Sequence, residues 1–199
     1  MIEAVVFDIG NVLIEWRPEP YFDQVLGEER RRDLFAAVDL LGMNERIDLG
    51  EDFVATVNET AERFPDYATE IRLWRDAWME FTGPVIDGSV EALRDLRAKG
   101  VPVFALSNFG IQTLEIAEEA YPFLTEFDRR YISGHMRVMK PDPEIYRRVE
   151  ADSGVAAERL LFVDDLPKNI AAAEARGWQG HLFEGAEGWR ARLVAEGLL

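Results

Sequence analysis

The chain has 199 residues, 48% of them hydrophobic, and carries 22 basic against 38 acidic side chains, a formal charge of −16. That composition suits one domain of ordinary size, or a core with a smaller insert, and excludes a disordered chain. The acid excess argues against a nucleic-acid binder and against docking on an anionic membrane, and the absence of cysteine removes disulfides, thiolate metal sites and cysteine nucleophiles together.

No apolar run approaches the length of a membrane span. The opening MIEAVVFDIG lacks the basic flank and long apolar stretch of a signal peptide, so the expected location is the cytoplasm. The charge is not a tail. Residues 16–84 hold 8 basic and 16 acidic side chains, and the remainder holds 14 and 22. Only three basic residues are lysines: Lys99, Lys140 and Lys168. With two histidines in the chain, catalysis is expected to rest on carboxylates.

In chain order, Glu3 to Phe7 reads as a buried strand, followed by a polar turn from Asp8 to Asn11 and a short apolar piece from Val12 to Trp16. Residues 21–82 contain no convincing strand. Their apolar spacing (Leu34, Phe35, Val38, Leu41; Phe53, Val54, Val57; Ile71, Trp74, Trp78) predicts three or four amphipathic helices. After Gly83-Pro84 helices and strands alternate. Helices are expected over Ser89–Lys99, Ile111–Ala120, Pro143–Glu150, Asn169–Arg176 and from Gly188. Strands are expected over Val101–Leu106, Arg130–Ser133, Leu160–Val163 and Gln179–Phe183. Such alternation implies an α/β fold, a Rossmann-like parallel sheet with helices on both faces. The expected division is a core of residues 1–15 and 85–199, with a helical cap over 16–84.

In such a sheet, ligands bind at the carboxyl ends of the strands. Asp8, Ser107-Asn108 and Asp164-Asp165 each follow a predicted strand, and Lys140-Pro141 sits in a loop between units. Any one of these could be a helix cap or turn residue. Together they place three carboxylates near one edge, where they would repel unless a cation sat among them. An all-oxygen set suits Mg²⁺.

Asp8-Ile9-Gly10-Asn11-Val12, Ser107-Asn108, Lys140-Pro141 and Val163-Asp164-Asp165 with Asn169 resemble, in order, the four motifs of the haloacid dehalogenase superfamily. The helical insert falls where that superfamily places its first cap type. The Asp-x-Gly-Asn-Val opening is similar to that of the subgroup containing bacterial α-D-glucose-1-phosphate phosphatase. The resemblance implies an Mg²⁺-dependent phosphatase acting on a small phosphorylated metabolite, such as a sugar phosphate. It implies that Asp8 is the nucleophile and forms an aspartyl-phosphate. It implies Mg²⁺ held by Asp8, the Gly10 carbonyl and Asp165, with Asp164 acting through water. Ser107 and Asn108 would take phosphate oxygens, and Lys140 would neutralise phosphate and nucleophile.

One departure stands out. Most phosphatases of the superfamily carry a second aspartate two residues after the nucleophile, as general acid and base; here that position is Gly10. Glu15, or a cap residue such as Glu45, could substitute. Metal-independent 2-haloacid dehalogenation, whose halide leaves without a proton, and a catalytically weak phosphate-binding module are the alternatives. Asn44, Glu45 and Arg46, read as a loop between cap helices, are the candidates for substrate choice. Trp74 and Trp78 are expected in the cap core, and Arg30-Arg31-Arg32 and Lys168 at the surface.

Overall fold

A computed structural model describes residues 1–199. The elements run β1 (Ala4–Phe7), β2 (Ile14–Trp16), α1 (Pro18–Leu26), α2 (Glu28–Ala37), α3 (Leu40–Asp48), α4 (Phe53–Arg63), α5 (Ala68–Asp76) and β3 (Thr82–Val85). Then follow α6 (Asp87–Ala98), β4 (Val103–Ser107), α7 (Ile111–Ala120), β5 (Arg129–Ile132), α8 (Ser133–Met136), α9 (Pro143–Ser153), β6 (Leu160–Asp164), α10 (Pro167–Glu174), β7 (Gln179–Leu182) and α11 (Ala186–Ala195).

The main sheet has the order β5-β4-β1-β6-β7, and every neighbouring pair is parallel. Strands covered on both faces read as continuous apolar runs, and β1 (AVVF) is buried at all four positions. Successive side chains point to opposite faces. Val5, Phe7, Val103, Ala105, Leu161 and Val163 pack into one apolar cluster with residues of α6, α7 and α11. Ala4, Val6, Phe104, Leu106, Leu160 and Phe162 pack into another with α9 and α10. The fold is therefore a parallel α/β sandwich with helices on both faces.

Five helices, rather than three or four, lie between β2 and β3. The prolines at 18 and 20 start a helix instead of breaking the chain, because the first turn has no N–H to lose. Gly27, at φ 82°, then separates α1 from α2. The strands β2 and β3 pair antiparallel, Ile14 with Val85 and Trp16 with Thr82. They were not legible as strands because they are short and β3 (TGPV) contains proline. The helices share an aromatic centre: Phe22, Trp74 and Phe81 are fully buried and in mutual ring contact. Arg30, Arg31 and Arg32 pair with Glu70, Asp23 and Glu28 at the surface. No helix is long and apolar enough to cross a membrane.

Candidate active site

Asp8 directly follows β1, Ser107 ends β4 and Asp164 ends β6. Because β1 lies between β4 and β6, parallel register brings all three to one edge of the sheet. Lys140 reaches the same point from the loop before α9. Its Nζ lies 2.9 Å from Asp8 Oδ1 and 2.6 Å from Asp164 Oδ2. Lys140 is 1% exposed and Asp164 0%, so this ion triad is dry and its interactions are far stronger than at a surface. The scarce lysine singled out from composition is thus the central cation of the site, while Lys168 is exposed.

The neighbouring backbone is built to hold these groups. Asn108 clamps Lys140: its Nδ2 donates to the Lys140 carbonyl at 3.0 Å, and its Oδ1 accepts from the Lys140 N–H at 2.8 Å. Pro167 opens α10, and helical side chains lean toward the N-terminus. Asn169 therefore reaches back, donating Nδ2 to Asp164 Oδ1 and Oδ2 at 2.9 and 3.0 Å. The Leu166 N–H donates to Asp164 Oδ1 at 2.8 Å. The carboxylate of Asp164 is thereby committed to Lys140, Asn169 and Leu166, behind Asp8. Asn11, which the motif supplied without a role, takes a left-handed conformation (φ 55°) that asparagine adopts more readily than most residues. Its Oδ1 accepts from the Trp16 N–H at 2.9 Å and its Nδ2 donates to Asp165 Oδ2 at 3.1 Å.

Burial raises the Asp8 pKa; Lys140 and a hydrogen bond from Ser107 oppose that shift, and Asp164 adds to it. Burial disfavours the Lys140 charge, but Asp8 and Asp164 outweigh it and keep the ammonium protonated. Asp165 is also raised, by burial and then by Asp164. Ligand atoms of Asp8, Asp164 and Asp165 lie within 4.8 Å of one another. One lysine against three carboxylates leaves negative charge uncompensated. The all-oxygen donor set fits a hard divalent cation.

The site opens into a cavity of about 280 Å³. Gly10, Ser107, Asn108 and Lys140 line it on the sheet side; Asn44, Asp48, Trp16 and Trp78 line it on the side of the helical insertion. Of the three specificity candidates, Asn44 alone faces it. All three lie within α3 rather than in a loop. Glu45 is exposed, and Arg46 pairs with Glu51 and Glu59 at the surface. Trp74 is core, as expected, whereas Trp78 is buried yet also lines the cavity. Glu15 lines the cavity 3.2 Å from Arg17. Asp48 was missed.

Residues 2–177 match the haloacid dehalogenase-like hydrolase family. The chain belongs to that family. It is 25% identical over 212 residues to the D-ribitol-5-phosphate phosphatase of Bacteroides thetaiotaomicron, covering 98% of each chain. It is 27% identical over 190 residues to drimenol cyclase of Aspergillus calidoustus, covering 92% of this chain but spanning about a third, 34%, of that longer protein. Among solved structures, an enzyme of the same family from Bacteroides thetaiotaomicron, in complex with magnesium and inorganic phosphate, superposes with a TM-score of 0.70 at 21% identity, covering 96% of this chain and 99% of that one. An L-2-haloacid dehalogenase from Xanthobacter autotrophicus superposes with a TM-score of 0.62 at 20% identity, covering 100% and 85%.

Proposed function

We propose that the protein is an Mg²⁺-dependent phosphatase of small phosphate esters, sugar phosphates among them, acting through an aspartyl-phosphate on Asp8. The observation that carries this reading is the charge balance at the sheet edge: three clustered carboxylates and one buried lysine. A metal-free site would leave the excess negative charge beside the nucleophile. Asp8, the Gly10 carbonyl and Asp165 would hold Mg²⁺, with Asp164 behind them through water. When bound, the ion neutralises charge on the phosphoryl oxygens.

In the proposed reaction, the Ile9 N–H, 2.7 Å from Asp8 Oδ1, and Lys140 orient the Asp8 carboxylate. An Asp8 oxygen attacks phosphorus and the ester oxygen leaves. Ser107 and the Asn108 backbone take phosphate oxygens. Asn108 and Asp164 act through Lys140, one gripping its backbone and the other its ammonium. Residues 16–84 serve as the cap over a core of 1–15 and 85–199. The support for that division is the β2–β3 pairing, which carries both crossings side by side. A closed cap keeps water from the phosphoryl group. The same reading places the protein in the cytoplasm, where phosphorylated metabolites are made.

The second reading is dehalogenation, favoured by Gly10, since a halide leaves without a proton. Phosphate release from a panel of phosphate esters, with Mg²⁺ and with the metal chelated, separates the two. The phosphatase reading expects Mg²⁺-dependent release. Chloride release from L-2-haloacids without metal, and no phosphate from any ester, would overturn it.

A further inference from the structure

The phosphatase reading leaves one proton without a source. An alcohol leaves phosphorus readily only if its oxygen is protonated, and position 10 carries no acid. Few groups lining the cavity can supply one. Glu15 is paired with Arg17 at 3.2 Å, and Asp165 belongs to the carboxylate cluster assigned to Mg²⁺.

Asp48 differs from both. It is the last residue of α3 and lines the same cavity as Asp8. Asn44, one helical turn earlier, donates Nδ2 to Asp48 Oδ2 at 2.8 Å. Asn44 is itself fixed, because its Oδ1 accepts from the indole N–H of buried Trp74 at 3.2 Å. The helix end is docked on the core: Ser133 Oγ donates to the Asp48 carbonyl at 2.5 Å, and Arg137 donates to the Gly50 carbonyl. A held carboxyl with no arginine or lysine paired to it, in a pocket meant for an anion, would repel the substrate unless it carries a proton.

We propose that Asp48 is the general acid and base of this reaction, supplied by the helical insertion in place of the residue missing at Gly10. The proposal rests on the phosphatase reading. Burial pushes the Asp48 carboxyl up to about 7; hydrogen bonding from the Gly110 backbone opposes the shift, Glu45 and Asp8 add to it, and Asn44 opposes it. That range is suited to proton transfer near neutral pH.

In the first step the Asp8 oxygen–phosphorus bond forms and the phosphorus–ester oxygen bond breaks, as the Asp48 proton passes to the departing oxygen. In the second, Asp48 takes a proton from water while that water's oxygen bonds to phosphorus. The bond from phosphorus to Asp8 breaks, phosphate leaves, and both aspartates return to their starting states. Because Asp48 belongs to the insertion, the site is complete only with the end of α3 docked.

The test is Asp48→Asn, which keeps an acceptor for Gly110 but has no proton to give. The quantity read is kcat/KM on an alkyl phosphate and on 2,4-dinitrophenyl phosphate, whose leaving group needs no acid. The expected result is a fall of roughly 10²–10⁴-fold on the alkyl ester and a fall at least about tenfold smaller on the activated ester. Phosphorylated Asp8 should accumulate in the latter case, since the base for its hydrolysis is gone. An equal fall on both esters, or no fall on the alkyl ester, overturns the proposal. Asp48→Ser is read in the same way should the amide variant not fold. If the unaltered protein releases phosphate from neither ester, the phosphatase reading fails first, and the two failures are distinct.

Discussion

Asp8 and Asp48 line one cavity, the first from the sheet edge and the second from the helical insertion, and they are held in different ways. Asp8 stands at the sheet edge against an ammonium, with Lys140 Nζ 2.9 Å away. Asp48 stands on the helical insertion against an amide and a backbone N–H, with no cation beside it. Burial pushes both carboxyls up to about 7; the Lys140 charge is the main opposing influence on Asp8, and hydrogen bonding from the Gly110 backbone is the main one on Asp48. The proposed roles follow these neighbours: attack by Asp8, which has the ammonium and the proposed Mg²⁺ site beside it, and proton transfer by Asp48, which has neither.

The largest expected effect breaks the sheet-edge half of that contrast. Asp8→Asn should lower phosphate release by roughly 10⁶-fold, to background, while circular dichroism stays unchanged; residual turnover above background would deny Asp8 its role. Next in size is Lys140→Met, which leaves Asp8 and Asp164 buried without their shared cation. Loss of one partner from a buried ion pair costs about 3–5 kcal/mol. Urea unfolding should show a loss of that order, together with loss of activity. A loss below about 1 kcal/mol would mean that the triad is not dry.

The third prediction moves the acid from one side of the cavity to the other. A Cβ on Gly10 meets nothing within 4 Å, so a side chain can start there without a clash. Gly10→Asp added to Asp48→Asn should recover alkyl-phosphate turnover by roughly tenfold or more, part of the 10²–10⁴ that an acid supplies. No recovery would show that position 10 cannot reach the leaving oxygen.

The smallest effect is thermodynamic. The Asp48 pKa rises from 3.8 to about 7 on folding. Between those values the unfolded state binds fewer protons than the folded one, so Asp48 makes stability fall as pH rises from about 4 to about 7. Asparagine does not titrate. The melting temperature of Asp48→Asn, relative to the unaltered protein, should therefore climb across that window and level off above it. A difference independent of pH would contradict a protonated Asp48.

Much of the sheet edge was legible because it follows from local rules. Buried runs such as AVVF and LLFV, alternating with helices, read as central parallel strands, and the residues after such strands meet at one edge. Lys140 stood out by scarcity. The grip of Asn108 on Lys140 was less legible, since reciprocal bonds across 32 residues leave no spacing to detect. Asp48 was missed for a different reason. Residues 44–46 were read as a loop, which assigns no face. Leu40, Met43 and Ile47 are in fact a buried helical stripe, and a helix drawn through them sets Asn44 and Asp48 one turn apart at its border. That Asp48 then meets the Asp8 cavity depends on how α3 docks against Ser133 and Gly110, which is tertiary and unwritten in local pattern. The helix count failed at Pro18 and Pro20, where residues that break a helix interior instead begin one.

The central claim is that Asp8 carries the phosphoryl group during turnover. Rapid acid quench of the Mg²⁺-loaded protein with 2,4-dinitrophenyl phosphate, borohydride trapping and mass spectrometry of the peptide spanning Asp8 tests it most directly. The account predicts trapped modification at Asp8, absent from Asp8→Asn. Phosphate release with no modification at Asp8, or modification at another residue, would contradict it.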